Sequence, residues 1–145
     1  VIAGSRLNIG SYRDVLTKPN EVELLRAVKP NMDPGQAGED AIASAAQNLS
    51  DKTGKPVIVT MGGRGAMWFN ESDVTIVPAL SVSPPIDIVG AGDTFMSAFA
   101  AAYGSGVSGD LAVAFANMAS AVVLKKIGTT GTASPQEIMD KFKSL

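Results

Sequence analysis

The stretch Asp87-Ile88-Val89-Gly90-Ala91-Gly92-Asp93, running straight into Thr94-Phe95-Met96-Ser97-Ala98-Phe99-Ala100, constrains this chain more than any other. Glycines on either side of one small residue let the backbone turn tightly and aim several N–H groups into one space. The helix predicted to follow adds the unpaired donors of its first turn. The product is an anion hole. A carboxylate at its mouth, Asp93, can take a proton from a hydroxyl held beside it while the hole receives a phosphoryl group and its developing charge. The same Gly-x-Gly-Asp before a helix also reads as an ordinary loop with Asp as N-cap.

Composition narrows the chemistry. The 145 residues contain no Cys and no His. Disulfide frameworks, the usual zinc sites, thiol nucleophiles and any Ser-His-Asp arrangement are therefore excluded within the chain, and a base must be Asp, Glu, Lys or Tyr. A net charge of -2 gives no basic footprint for nucleic acid or an anionic membrane, and neither partner is expected. A 46% hydrophobic, 18% charged chain of this length describes a soluble globule with a real core. The most apolar run, Leu111 to Leu124, is interrupted by Asn117 and Ser120 and falls short of the roughly 20 apolar residues that span a bilayer. Without an export segment, the expected compartment is the cytoplasm.

In chain order, Val1-Ile2-Ala3 reads as the end of a strand and Asp14-Val15-Leu16-Thr17 as a second, stopped at Lys18-Pro19. Asn20 is placed as the N-cap of a helix with acids in its first turn, Glu21 to Val28, so that Asn20 and Glu23 suit a capping box. A second helix is predicted from Gln36 to Asp51, closed by Gly54, and leads to the buried strand Pro56 to Thr60. After the glycine-dense bend Met61 to Gly65, the runs Ala66–Phe69 and Val74–Val77 predict a hairpin. Helix followed by strand makes the sheet partly parallel and the class α/β.

Pro84-Pro85 favours an extended approach to the anion hole. Helices are then predicted over 94–103, closed by Gly104, and over about 109–126, capped by Ser108. Both are apolar nearly all round, which demands burial on most faces. Asn117, the single amide of the second, needs a hydrogen-bond partner in the core or at a ligand. Ser134-Pro135-Gln136-Glu137 is a capping box that opens a short final helix.

The run DIVGAGDTFMSAFAAA resembles the carboxy-terminal signature of the ribokinase/PfkB family of carbohydrate kinases, with Ile88 standing where the family usually has a small or hydroxyl residue. The resemblance implies that Asp93 is the catalytic base and that the N–H groups of Gly90, Ala91 and Gly92 hold phosphoryl charge. KPNEVE resembles the family's Asn-x-x-Glu element, which implies that Asn20 and Glu23 organise Mg²⁺ and the nucleotide phosphates. VTMGGRGA resembles its Thr-x-Gly-x-x-Gly turn, which implies that Thr60, Gly62 and Gly65 lie near ATP. AFANMASAVVL resembles the helix whose Asn, here Asn117, lies beside the nucleotide. The segment Lys125 to Thr132 resembles the loop that encloses the nucleotide, with details similar to the heptose phosphate kinase branch. By that resemblance Asp87, Val89, Val123, Lys126 and Gly128 would surround K⁺.

These elements occur in family order across nearly the whole chain. The implied fold is the carboxy-terminal half of a ribokinase-like three-layer α/β domain, a mixed sheet flanked by helices. Residues 1–145 are read as a single partial domain, because the chain opens in a strand with Val1 rather than Met and the family's sugar pocket and lid precede this region. The implied activity is transfer of the γ-phosphoryl of MgATP to a hydroxyl of a sugar or sugar phosphate. The isolated chain is expected to be inactive, and its expected partner is the missing amino-terminal half or a second copy of itself.

A dinucleotide-binding oxidoreductase is disfavoured because Phe95 stands where the third small residue of that fingerprint belongs. A P-loop NTPase is excluded by the lack of Gly-Lys-Ser/Thr. A nucleotide-binding module without catalysis stays as the alternative.

Overall fold

Each strand here is short, and what makes a sheet of them is the order in which they pair. The computed structural model describes residues 1–145. β1 (Ile2–Ala3), β2 (Leu16–Thr17), β3 (Val57–Thr60), β4 (Ala66–Asn70) and β5 (Asp73–Val77) form one five-stranded sheet in that order. β1, β2 and β3 run parallel, and β3, β4 and β5 form an antiparallel meander with Val57 opposite Phe69 and Trp68 opposite Thr75. The result is an α/β fold with a mixed sheet flanked by helices, as expected. No helix is long and apolar enough to cross a membrane.

The chain divides into two compact units. The first comprises Val1–Gly62 and Ala66–Val77 and contains the sheet with α1 (Glu21–Val28) and α2 (Glu39–Thr53). Residues of alternate register on β3 and β4, namely Val57, Val59, Met67 and Phe69, form one core with Leu24 and Leu25 of α1 and Ile42 and Leu49 of α2. Each fully buried Leu or Ile there contributes roughly 1.5–3 kcal/mol by leaving water. α2 starts later than the periodicity predicts because Pro34–Gln36 forms a 3₁₀ turn first, and it ends on Gly54 in the left-handed conformation. The second strand is shorter than predicted for a backbone reason. Asp14 has φ of 55° and donates its N–H to the Thr53 carbonyl, so the extended ladder begins only at Leu16.

The second unit, Gly63–Gly65 with Pro78–Leu145, is built from α3 (Ala91–Gly104), α4 (Gly109–Val123) and α5 (Pro135–Lys143). α3 packs along α4 through Phe95, Phe99, Ala112, Ala116 and Ala119, all buried. Leu111 and Phe115 stay exposed at 61% and 37%, so these helices do carry apolar surface that the chain's own elements leave in contact with water. α3 begins three residues earlier than the predicted position 94 and extends through Gly104, with Ser105 as C-cap. Ser108 occupies the N-cap position of α4, but its hydroxyl donates to the Asp110 carboxylate at 2.6 Å and makes no capping bond. The approach to α3 contains a cis Pro84–Pro85 peptide.

Candidate active site

At the start of α3 the expected turn is realised through one residue. Gly90 is the N-cap with φ of 81°, a left-handed conformation that costs an L-residue roughly 1–2 kcal/mol and glycine almost nothing. Asp93 is therefore the third residue of the helix, and the reading of Asp93 as a plain N-cap does not hold. Its carboxylate stands exposed on the first turn, where the helix dipole favours negative charge and where the Gly92 and Asp93 N–H groups have no intrahelical acceptor. The Ala91 N–H donates to the Ile88 carbonyl at 3.2 Å and so closes the turn. Ser120 of α4 donates its hydroxyl to the Ala91 carbonyl at 3.0 Å, which fixes this first turn against the neighbouring helix.

A second loop folds over the turn. The Asp87 carboxylate accepts the Val89 N–H at 3.0 Å on one oxygen and the Gly128 N–H at 2.9 Å on the other. These two bonds, Val89 first, hold the Asp87 pKa below the ordinary carboxylate range. The Asp87 N–H in turn donates to the Leu124 carbonyl at 2.9 Å, and the Val123 carbonyl accepts the Lys126 N–H at 2.8 Å. Thr130 lies so close that a Cβ on Gly90 would sit 3.5 Å from its Cα. Gly90, Asp93, Thr130 and Thr132 line one end of a cleft of about 940 Å³ that continues between α3, α4 and α5 over apolar side chains such as Leu111 and Met139. Asn117 donates from Nδ2 to the Pro78 carbonyl at 3.2 Å, so this half-buried amide has a partner within its own unit.

In the first unit, Asn20 and Glu23 form the capping box in full. The Asn20 Oδ1 accepts the Glu23 N–H at 2.8 Å, and the Asn20 N–H donates to Glu23 Oε2 at 2.9 Å. Asn20 also bridges in parallel to Thr60, whose N–H donates to the Pro19 carbonyl at 3.1 Å. Asn20 and Glu23 are thus brought beside Thr60, which is distant from both in sequence. Gly62 opens the 3₁₀ turn that follows, with φ of 55°, and Gly65 leaves it with φ of 98°. No three Asp or Glu side chains converge on one point.

Three residues that shape the site do so through contacts distant in sequence. Ser120, in sequence only an interruption of an apolar run, is one. Lys125 donates to the Ser83 and Pro85 carbonyls at 3.0 and 3.5 Å and ties the approach segment to the end of α4. Glu137 caps α5 as expected, but it also meets the Lys126 ammonium at 2.7 Å. The Lys126 hydrogen bond, followed by the Ser134 N–H, holds its pKa down to about 2.

The chain is similar to known proteins in sequence and in fold. Residues 11–137 match the model of the pfkB family carbohydrate kinases. The chain is 38% identical to the deoxyribokinase of Salmonella typhimurium over 126 residues, covering 86% of this chain and 38% of that protein. It is 34% identical over 137 residues to the bifunctional protein HldE of Aliarcobacter butzleri, covering 94% of this chain and 27% of that one. The Arabidopsis thaliana ribokinase complexed with ribose and ATP superposes with a TM-score of 0.80 at 25% identity, over 93% of this chain and 42% of that one. The chain thus spans less than half the length of the relatives it matches, and it is similar to deoxyribokinase as well as to HldE, so no single branch is marked out. On the matched extent, the order of its elements and the turn at Gly90, the chain belongs to the pfkB family of carbohydrate kinases.

Proposed function

We propose that this chain supplies the nucleotide site and the catalytic base of an ATP-dependent kinase acting on a hydroxyl of a sugar or sugar phosphate. The observation that carries the reading is Asp93 on the first turn of α3, beside unbonded helix donors and behind a left-handed Gly90. Asp93 takes the proton of the acceptor hydroxyl as its oxygen bonds to the γ-phosphorus. The bond from that phosphorus to the bridging oxygen breaks, and the electron pair leaves on ADP. The N–H groups at Gly90, Gly92 and Asp93 face the charge that builds on the transferred group, while Ala91 serves the turn through Ile88.

Glu23 is the residue we assign to the metal. Its Oε2 accepts the Asn20 N–H, which leaves Oε1 to hold Mg²⁺ directly or through water. Mg²⁺ bound with ATP neutralises charge on the phosphate oxygens. Thr60, Gly62, Gly65 and Asn117 contact the nucleotide in this reading, the glycines because the backbone can approach a ligand where a side chain would clash. Asp87 and the backbone oxygens of Val89, Val123, Lys126 and Gly128 form an all-oxygen set suited to K⁺, a hard cation. Both Asp87 oxygens already accept an N–H and would offer their remaining lone pairs. Sugar contacts come from family sequence outside these residues, and a cytoplasmic setting goes with this metabolic role.

The test is MgATP binding by the chain, together with ATP consumption across a panel of sugars and sugar phosphates when a sugar-binding segment of the family is supplied. Binding with sugar-dependent consumption supports the reading. Binding without consumption under every condition favours the nucleotide-binding module, and no binding contradicts both.

A further inference from the structure

We infer that Lys126 and Glu137 are positioning residues that hold the loop 127–133 over the start of α3, and so set the shape of the phosphoryl site without touching the phosphoryl group. The inference rests on the kinase reading above. Lys126 leaves the end of α4 and its ammonium meets two partners on the far side of the loop, the Glu137 carboxylate at 2.7 Å and the Thr132 carbonyl. Its stem lies across Gly131 so closely that a Cβ there would meet Lys126 Cδ at 2.7 Å and Cβ at 2.9 Å. The loop is therefore clasped against the lysine rather than left to its own turns. Asp87 fixes the near end of the same loop through the Gly128 N–H. Between these ties lies Thr130, the residue against Gly90, and both Thr130 and Thr132 line the cleft that Asp93 enters.

The geometry also removes an alternative. A lysine beside an anion hole is ordinarily taken for a phosphate ligand, but the Lys126 ammonium is committed to a carboxylate and a carbonyl, and that of Lys125 to the Ser83 and Pro85 carbonyls. Charge for the phosphoryl group comes from backbone donors, Lys126 places the loop that covers them, and Lys125 ties the approach segment to the end of α4.

Amide hydrogen exchange of residues 127–133 and MgATP affinity, measured on the same proteins, test this. Glu137→Gln keeps one oxygen for the Ser134 N–H, since Gln also serves a capping box, but loses the charge facing Lys126. Lys126→Met keeps the stem against Gly131 and loses the ammonium. Because the pair is partly exposed, each change is expected to speed exchange at Thr130–Thr132 and to raise the MgATP Kd by about threefold to fivefold. Lys126→Arg, which retains charge and donors, restores both to within about twofold of the parent. Unchanged exchange in Lys126→Met, or Lys126→Arg behaving like Lys126→Met, overturns the clasp. Faster exchange with unchanged affinity overturns the positioning role. A parent chain that binds no MgATP contradicts the kinase reading instead, while exchange still decides whether the clasp exists.

Discussion

The Asp87 carboxylate reaches across 41 positions of sequence to accept the Gly128 N–H at 2.9 Å, and by that bond the turn before α3 and the loop after α4 become one structure. The consequence is that the site is held mainly by backbone donors meeting a few side chains. It should therefore respond to changes that leave every cleft-lining side chain in place.

Protonation of Asp87 is the gentlest such change. Its folded pKa lies below the ordinary value because the charged form accepts the Val89 and Gly128 N–H groups. The stabilisation is therefore complete above the ordinary carboxylate range, near pH 4, and is lost as pH falls through the lower folded pKa. The protection of the Gly128 amide, measured against the intrinsic exchange rate at each pH, is expected to fall in that acid window and to be low at all pH values in Asp87→Ala. Exchange at Gly128 that is equally slow in Asp87→Ala contradicts the tie.

Two glycines of the site should fail for different reasons when replaced by alanine. Gly90→Ala puts a side chain at φ of 81°, where the cost is backbone strain of roughly 1–2 kcal/mol, while the added Cβ meets Thr130 only at ordinary contact distance. Gly131→Ala carries no such strain but drives a Cβ into the Lys126 stem, displacing the lysine from Glu137. Lys126→Ala removes the Cδ and Cγ of that stem but leaves the Cβ that a side chain at position 131 would meet at 2.9 Å, so it should partly rescue Gly131→Ala and leave Gly90→Ala unchanged, as measured by thermal unfolding of the single and double variants. Rescue of Gly90→Ala by the same change is the contrary result.

Glu23 carries a helix cap, and in our proposal a metal, and one substitution separates them. Glu23→Gln preserves the reciprocal bonds with Asn20, so the stability of α1 should stay within the few tenths of a kcal/mol typical of surface changes. The Mg²⁺ concentration for half-maximal activity should rise, because a neutral amide holds the ion and its waters less well. An unchanged Mg²⁺ titration leaves Glu23 with the cap alone.

What the sequence made legible was local. The Asn20–Glu23 and Ser134–Glu137 boxes are fixed by residue types three apart, and the hairpin from Ala66 to Val77 by apolar runs about a polar turn, so both appear where expected. The strand predicted from Asp14 was cut short by a hydrogen bond to Thr53, a partner that residue types nearby do not announce. Residues 91–93 read as part of a tight turn because glycines flank Ala91, yet they form the first turn of α3, which Gly90 caps and Ser120 braces from another element. The Lys126–Glu137 pair is hidden in the sequence because Glu137 already has a local role as a cap. The available signal was a lysine and an acid flanking a loop of glycines and threonines.

Replacing Asp93 by Asn, in the chain assayed with a sugar-binding segment of the family, tests the central claim most directly. Asn keeps the size and the place on the first turn but cannot accept the proton of a hydroxyl. Turnover is expected to fall by at least the ~10²-fold typical of a positioned general base, with the MgATP Kd unchanged. Turnover within a few fold of the parent would contradict Asp93 as the base, and with it the reading of this site as one that transfers a phosphoryl group to a sugar hydroxyl.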